Sequence, residues 1–241
     1  MCGHMKPVYP ALLKLGDHDL PWVEHATHLG HELHQMCTME YDANVKRAQF
    51  IENSVQIQES FNFAYPSEIL QAVHTYAGHW YGSMLWDLFG EKVNQIYNSW
   101  NTCAKLIWRV PRSTHTFLVE NLLVSQFFTV KQQLVGRYVN YVKQLFNSSS
   151  PEICVVANMV ARCARSTTGS NLLHIERESR LDPWTTPAWM VRSAMPRCEV
   201  TPVQRWRLQY LRKLLLARLE MEARCEDVED INELVDSLAR S

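Results

Sequence analysis

Glycine is scarce in this sequence, eight residues in 241, and no group of them forms the closely spaced turn that cradles a nucleotide phosphate. Asp42, Glu52, Glu59 and Asp87 give no close pair of carboxylates in a recognisable metal-binding context. The seven cysteines, Cys2, Cys37, Cys103, Cys154, Cys163, Cys198 and Cys225, are odd in number, and none stands close to another. That pattern argues against a disulfide scaffold and a cysteine-rich zinc site, and it fits a reducing compartment. No basic stretch followed by an apolar core opens the chain, so no secretory leader is expected. The glycosylation-type triplet Asn147-Ser148-Ser149 has no meaning without secretion. Neither charge dominates: 24 basic against 25 acidic side chains leave a polyanionic partner neither favoured nor excluded. Residues 69–86 carry no charge and are about membrane-spanning in length. Gln71, His74, His79 and two glycines interrupt that run, which reads as a buried amphipathic helix. The expected setting is intracellular, cytoplasmic or nuclear, with no membrane partner.

What is present is an ordinary globular composition, 46% hydrophobic and 20% charged, in a chain long enough for one sizeable core or two small ones. The pattern predicts a mainly α protein in which a short N-terminal β-hairpin-like element precedes a helical bundle. In residues 1–38, an apolar segment at 12–15, a turn at Gly16-Asp17, a return strand at 20–24 and a third short strand at 27–33 form the expected hairpin region. Residues 39–165 read as helical. Val45, Ala48, Ile51 and Val55 mark the first apolar face, and Pro66 suits the first turn of a second helix. Gly82 and Gly90 fit bends or ends. Val93, Ile96, Trp100, Ala104 and Ile107 predict a third helix that Pro111 stops, and Phe127, Val130, Leu134, Tyr138, Tyr141 and Leu145 form the clearest stripe. Ser150-Pro151 caps a further helix. Residues 166–202, with Thr-Thr-Gly-Ser and four prolines, read as an irregular connection in which Trp184 and Trp189 favour burial. Residues 203–241 are helical again, opened by a capping box at Thr201 and Gln204, with Val203, Trp206, Tyr210, Leu214, Ala217 and Met221 on one face. This final stretch ends acidic.

Two charge concentrations stand out. Between Lys92 and Lys143, seven basic residues (Lys92, Lys105, Arg109, Arg112, Lys131, Arg137 and Lys143) face Glu120 alone, an excess that can contact a phosphate backbone or simply be solvated helix surface. Lys131 and Arg137 flank the apolar stripe of their helix while Lys143 points nearly opposite its centre, so these three make no groove without a neighbouring element. A second concentration holds Arg192, Arg197, Arg205, Arg207, Arg212 and Lys213 around Trp206, which can stack on bases. The apolar periodicity makes Trp206 rather a core anchor. His25, His28, His31 and His34, with Cys37 in step, raise a zinc reading, but three-residue spacing alternates faces along a strand. Asp17-His18-Asp19 is expected in a turn, and Ser83 with His115 lacks the setting of a nucleophile elbow.

Several fragments, in order, resemble the region after the catalytic palm in reverse transcriptases of non-long-terminal-repeat (LINE-like) retrotransposons. They are residues 22–33 with His28-Leu29-Gly30-His31, then Val45-Lys46-Arg47-Ala48-Gln49-Phe50-Ile51 with Asn53. Tyr81-Gly82-Ser83-Met84-Leu85-Trp86-Asp87-Leu88, Trp100-Asn101 and Ile107-Trp108-Arg109-Val110-Pro111-Arg112-Ser113-Thr114-His115 follow. Together they cover residues 7–175. The resemblance implies a thumb that holds an RNA/DNA primer–template duplex, with Gly30 permitting a primer-grip backbone. Tyr81, Trp86, Trp100 and Trp108 would then pack the thumb, and Lys46, Arg47, Arg109 and Arg112 would be phosphate contacts, to which the basic excess adds Lys131 and Arg137 as candidates. Palm carboxylates of the Tyr-Ala-Asp-Asp type, which in that family bind two magnesium ions, do not occur here, nor does a fingers region. The chain is therefore expected to hold nucleic acid beside a palm and fingers it does not contain, and to need no cofactor itself. The alternative is a domesticated helical protein–protein interaction module; a small metal enzyme built on the spaced histidines is the third reading.

Overall fold

Helix α1 (Glu40–Ser60) is apolar on two sides, and side-chain size decides which side turns inward. Phe50 lies against Trp80 at 5.4 Å and Trp100 at 6.0 Å between ring centroids, and burying these rings removes more apolar area than burying Ile51. The helix consequently buries Ala43, Phe50 and Ser54, while Ile51 and Val55, expected on the inner face, are exposed. The first turn also buries the Asp42 carboxylate, which accepts a hydrogen bond of 2.8 Å from Trp86 Nε1.

This computed structural model describes residues 14–15, 17–19, 25–28, 31–34, 39–197, 200–224 and 226–240, and the protein is mainly helical. Strand β1 (Lys14–Leu15) pairs antiparallel with β2 (His18–Asp19), and β3 (His25–His28) with β4 (His31–His34), in a register that matches His25 to His34 and His28 to His31. The single strand expected at 27–33 is thus divided between β3 and β4. The return strand expected at 20–24 and Gly30 lie outside the described residues.

Helix α2 (Pro66–Ala72) begins with Pro66 at its first position, where a missing N–H costs no intrahelical bond. It runs on into a π-turn (Val73–Ala77). Gly82, at φ 86°, allows the left-handed step into a 3₁₀ turn (Ser83–Leu85) that turns Trp86 inward. The backbone that follows cannot join a helix or sheet, so side chains satisfy it. Asn171 Oδ1 accepts from Leu88 N at 3.0 Å, Asn171 Nδ2 donates to Trp86 O at 2.8 Å, and Tyr97 Oη donates to Leu88 O at 3.0 Å. All of this is buried or nearly so, and burial pushes the Tyr97 phenol well above its usual range.

Helix α3 (Glu91–Ile107) starts behind Gly90 and buries the expected stripe of Val93, Ile96, Trp100, Ala104 and Ile107. It ends in a Schellman turn, in which Val110 N donates to Lys105 O and Arg109 N to Leu106 O, with Arg109 at φ 50° in the place glycine favours. A short helix α4 (Thr116–Leu118) and a π-turn (Val119–Leu123) lead to α5 (Val130–Phe146), which Thr129 caps by accepting from Gln132 N at 3.2 Å. Helix α5 is buried over more than its expected stripe, because α3, α6 and α8 all pack on it.

Helix α6 (Pro151–Arg162) is capped by Ser150 as expected. Residues 166–202 are not an irregular connection: they contain α7 (Thr167–Ser179) and α8 (Ala188–Ala194). Ser166 Oγ caps α7 through Gly169 N at 2.9 Å, and a Cβ at position 169 would meet Cys163 O at 2.2 Å, so the apparently loop-like Thr-Thr-Gly-Ser is a first helical turn. Leu172, Ile175, Val191 and Met195 of this stretch belong to the same core as α1, α3 and α5. Trp184 packs edge-on against Phe146 at 4.8 Å, yet both it and Trp189 are exposed, against expectation.

Helix α9 (Pro202–Ala223) opens with the expected capping box, Thr201 N to Gln204 Oε1 at 2.9 Å and Gln204 N to Thr201 Oγ1 at 3.3 Å. It pairs with α10 (Glu229–Arg240), whose Val235 and Ala239 are buried. Between them lies Arg218, which donates to Trp108 O, to Arg109 O at 3.3 Å and to Asn232 Oδ1 at 3.4 Å, so α9, α10 and the end of α3 share one buried guanidinium. Among the described residues no helix is long and apolar enough to cross a membrane.

Candidate nucleic-acid interface

The residues expected as phosphate contacts, from the resemblance and from the basic excess, fall on three elements. Lys46 and Arg47 are on α1, Arg109 and Arg112 follow α3, and Lys131 and Arg137 are on α5; α3 packs on both other helices. Gly30 lies outside the described residues. Two of these cations, Arg47 and Lys131, already have work inside the fold. Arg47 Nε donates to Ser99 Oγ at 2.8 Å across the α1–α3 seam. Lys46 Nζ reaches Gln49 Oε1 at 3.4 Å on the surface of α1. Lys131 Nζ stands 2.6 Å from Glu178 Oε2 and 5.3 Å from the centroid of Phe89. Arg109 lies 3.4 Å from Glu222 with its side chain largely exposed, so this pair holds the guanidinium only loosely. Arg112 and Arg137 are exposed, and the carbonyl of Arg112 receives Lys105 Nζ at 2.8 Å. Partial burial lowers the pKa of that lysine. Lys143, expected to point away from the core, instead donates to Thr186 O.

Of the four aromatics assigned to thumb packing, Trp86 and Trp100 are buried and Trp108 is half-buried, but Tyr81 is 58% exposed. Gly82, immediately after Tyr81, carries the left-handed turn, and the side chains this block turns inward are Ser83, Trp86 and Leu88.

The second basic concentration divides in two. Arg192 and Arg197 are structural: the Arg192 guanidinium lies 4.0 Å from the centroid of Phe128, and Arg197 donates to the carbonyls of Glu120, Ser125 and Phe127, closing the loop before α5. Arg205, Arg207, Arg212 and Lys213 make no ion pair among the described residues. Trp206, expected as a core anchor, is 62% exposed and stacks on Tyr210 with ring centroids 5.6 Å apart and planes 4° from parallel. The helix turns Leu211, Leu215 and Arg218 inward instead. The sequence signal for this cluster was the absence of any acidic residue between Pro202 and Leu219.

Arg218 shows how costly a buried cation is. Burial lowers its pKa and the nearby Glu222 carboxylate opposes that shift; two main-chain carbonyls at the end of α3 and Asn232 accept from its Nη atoms, while the buried Nε has no hydrogen-bond partner among the described residues and lies 3.9 Å from Glu222. Beside it, a cleft of about 620 Å³ separates α9 from Tyr65 and Trp108, with Arg212 on its lip.

Among the described residues, no three His, Cys, Asp or Glu side chains stand close enough to hold a metal ion. Comparison of the chain with protein-family models, with characterised proteins and with solved structures finds no match.

Proposed function

We propose that the chain is the thumb-like segment of a LINE-like reverse transcriptase and holds an RNA/DNA primer–template duplex for a palm and fingers it does not itself contain. The observation that carries this reading is the order of the resembling blocks. Their packing supports it, since blocks far apart in sequence share one core: Phe50 packs on Trp100, and Trp86, Leu88, Ile107 and Val110 belong to the same buried cluster. In this reading the strands either side of Gly30 serve as the primer grip, and the exposed Arg109, Arg112 and Arg137 meet phosphates. The parent polymerase requires Mg²⁺; this segment binds duplex without it.

The test is binding of the purified chain to a labelled RNA/DNA hybrid at low and moderate salt. Salt-sensitive binding, weakened by Arg112→Glu and Arg137→Glu, is the expected result. A folded, monodisperse chain that ignores the hybrid at low salt refutes the reading, and primer extension by this chain with magnesium overturns its non-catalytic part.

One observation favours a second reading, a helical protein–protein interaction module. On α6, Ile153, Val155, Val156 and Met159 are all exposed, and Ile153 and Val156 border an apolar groove of about 330 Å³ shared with α5.

A further inference from the structure

Helix α9 carries two faces, and only one of them is used by the fold. At about 100° per residue, Leu211, Leu215 and Arg218 define the inner face, which leaves Trp206, Gln209, Tyr210 and Lys213 on the opposite side. A stacked tryptophan–tyrosine pair held in water is unusual, because each ring forgoes the burial that normally recruits aromatic residues to a core. The pair is also bracketed by positive charge. Lys213 lies on one side of Tyr210 and Arg207 on the other, each about 60° away around the helix, and Arg205 and Arg212 extend the positive margin toward the cleft beside Trp108. None of these four cations is neutralised by an acidic side chain among the described residues, and α9 has no acidic residue before Glu220.

A flat, parallel aromatic surface inside a ring of unpaired cations matches one kind of partner by charge and shape. We infer that the first half of α9 binds an unpaired nucleic-acid strand, with bases stacking on Trp206 and Tyr210 and phosphates meeting Arg205, Arg207, Arg212 and Lys213. A duplex is excluded from the aromatic part of this site, because its bases already stack on one another and present no free face. The inference takes its class of partner from the proposed nucleic-acid role but uses none of the residues assigned to the duplex.

The experiment measures fluorescence anisotropy of labelled oligo(dT) of about twelve nucleotides, a length within the reach of such sites, against the full chain. An RNA/DNA hybrid of equal length runs in parallel. Trp206→Ala is expected to weaken oligo(dT) binding about ten-fold and to leave the hybrid unaffected, while Trp206→Phe restores most of the affinity. Trp206→Ala should melt with the wild type, since the side chain is mostly in water. Quenching of the fluorescence that Trp206→Phe removes gives a direct report of stacking. Replacing Arg212 and Lys213 by alanine should reduce the slope of log affinity on log salt by about 1.4 for a single strand. Equal oligo(dT) affinity of wild type and Trp206→Ala overturns the inference, as does loss of hybrid and single-strand binding in equal measure. Trp206-dependent self-association in sedimentation, or tighter binding to anionic phosphatidylserine vesicles than to oligo(dT), overturns it in favour of a protein or lipid partner. Failure of the hybrid alone, with oligo(dT) bound through Trp206, sinks the duplex-holding role and leaves this site standing.

Discussion

Asn171 gives the sharpest test of how the irregular segment around Trp86 is held. It is fully buried, accepts from Leu88 N and donates to Trp86 O, so it takes the place of a neighbouring strand for a stretch of backbone that has none. Replacing it with aspartate keeps the acceptor toward Leu88 but sets a carboxylate oxygen against the Trp86 carbonyl. In a dry site that carboxylate is strongly disfavoured, and its pKa should rise by about 3 from an unfolded value near 3.9. At about 1.4 kcal/mol for each pKa unit, the variant should lose about 4 kcal/mol relative to wild type above pH 7. The sign is set by linkage: a carboxyl whose folded pKa is raised contributes fully below its unfolded pKa, and that contribution is lost as pH rises through the folded value. Below about pH 4.5 the neutral acid can donate its O–H to Trp86 O, and the variant should approach wild-type stability. Urea unfolding of both proteins, followed by tryptophan fluorescence at several pH values, gives the difference directly. A destabilisation of under about 1 kcal/mol at pH 8, or one that does not change between pH 5 and 8, would show that water reaches this segment and that the reasoning is wrong.

Arg109→Gly should be neutral or slightly stabilising, because relief of the left-handed conformation contributes about 1 kcal/mol and the exposed Glu222 pair little; a fall of more than 1 kcal/mol in urea unfolding would mean that the guanidinium itself clamps α9 to α3. The same variant should bind the RNA/DNA hybrid more weakly if Arg109 meets phosphate. His74 stacks on Phe127 at 4.9 Å and its Nε2 lies 2.8 Å from Gln133 Nε2, and burial lowers its pKa below the ordinary 6.5. A lowered histidine pKa means the unfolded chain binds more protons, so stability is full above pH 6.5 and declines as pH falls below it. His74→Gln should flatten the corresponding part of the melting temperature against pH; an unchanged slope refutes the assignment.

The helices most legible in the sequence are those whose large apolar residues lie on a single side. The stripe of α3 was readable from Val93 to Ile107 because its opposite face is polar. Helix α1 misled because Ile51 and Val55 look as apolar as Phe50, and only the presence of Trp80 and Trp100 tells which side is inner. Helices α7 and α8 were hidden for a different reason. Much of what α7 buries is polar or small, Gly169, Asn171 and Ser179 among them, and such residues carry no hydrophobic period. The burial of Asn171 is intelligible only through partners distant in sequence, Trp86 and Leu88.

The same distinction governs the candidate interface. Arg197 and Arg205 are alike in sequence, each a cation near a proline in a basic stretch, yet Arg197 satisfies three loop carbonyls and Arg205 satisfies none among the described residues. Local charge density therefore marks where cations are, while their availability depends on whether the fold has carbonyls or carboxylates to spend them on. At the end of α3 it has: Trp108 and Arg109 leave carbonyls that Arg218 must fill. Along the first half of α9 it has not, because the capping box satisfies the helix start and no acidic residue precedes Glu220. Four cations and two stacked rings are thus left over by the same packing that buries Leu211 and Leu215, and a surplus of that composition favours a polyanion with free aromatic faces over a second protein core.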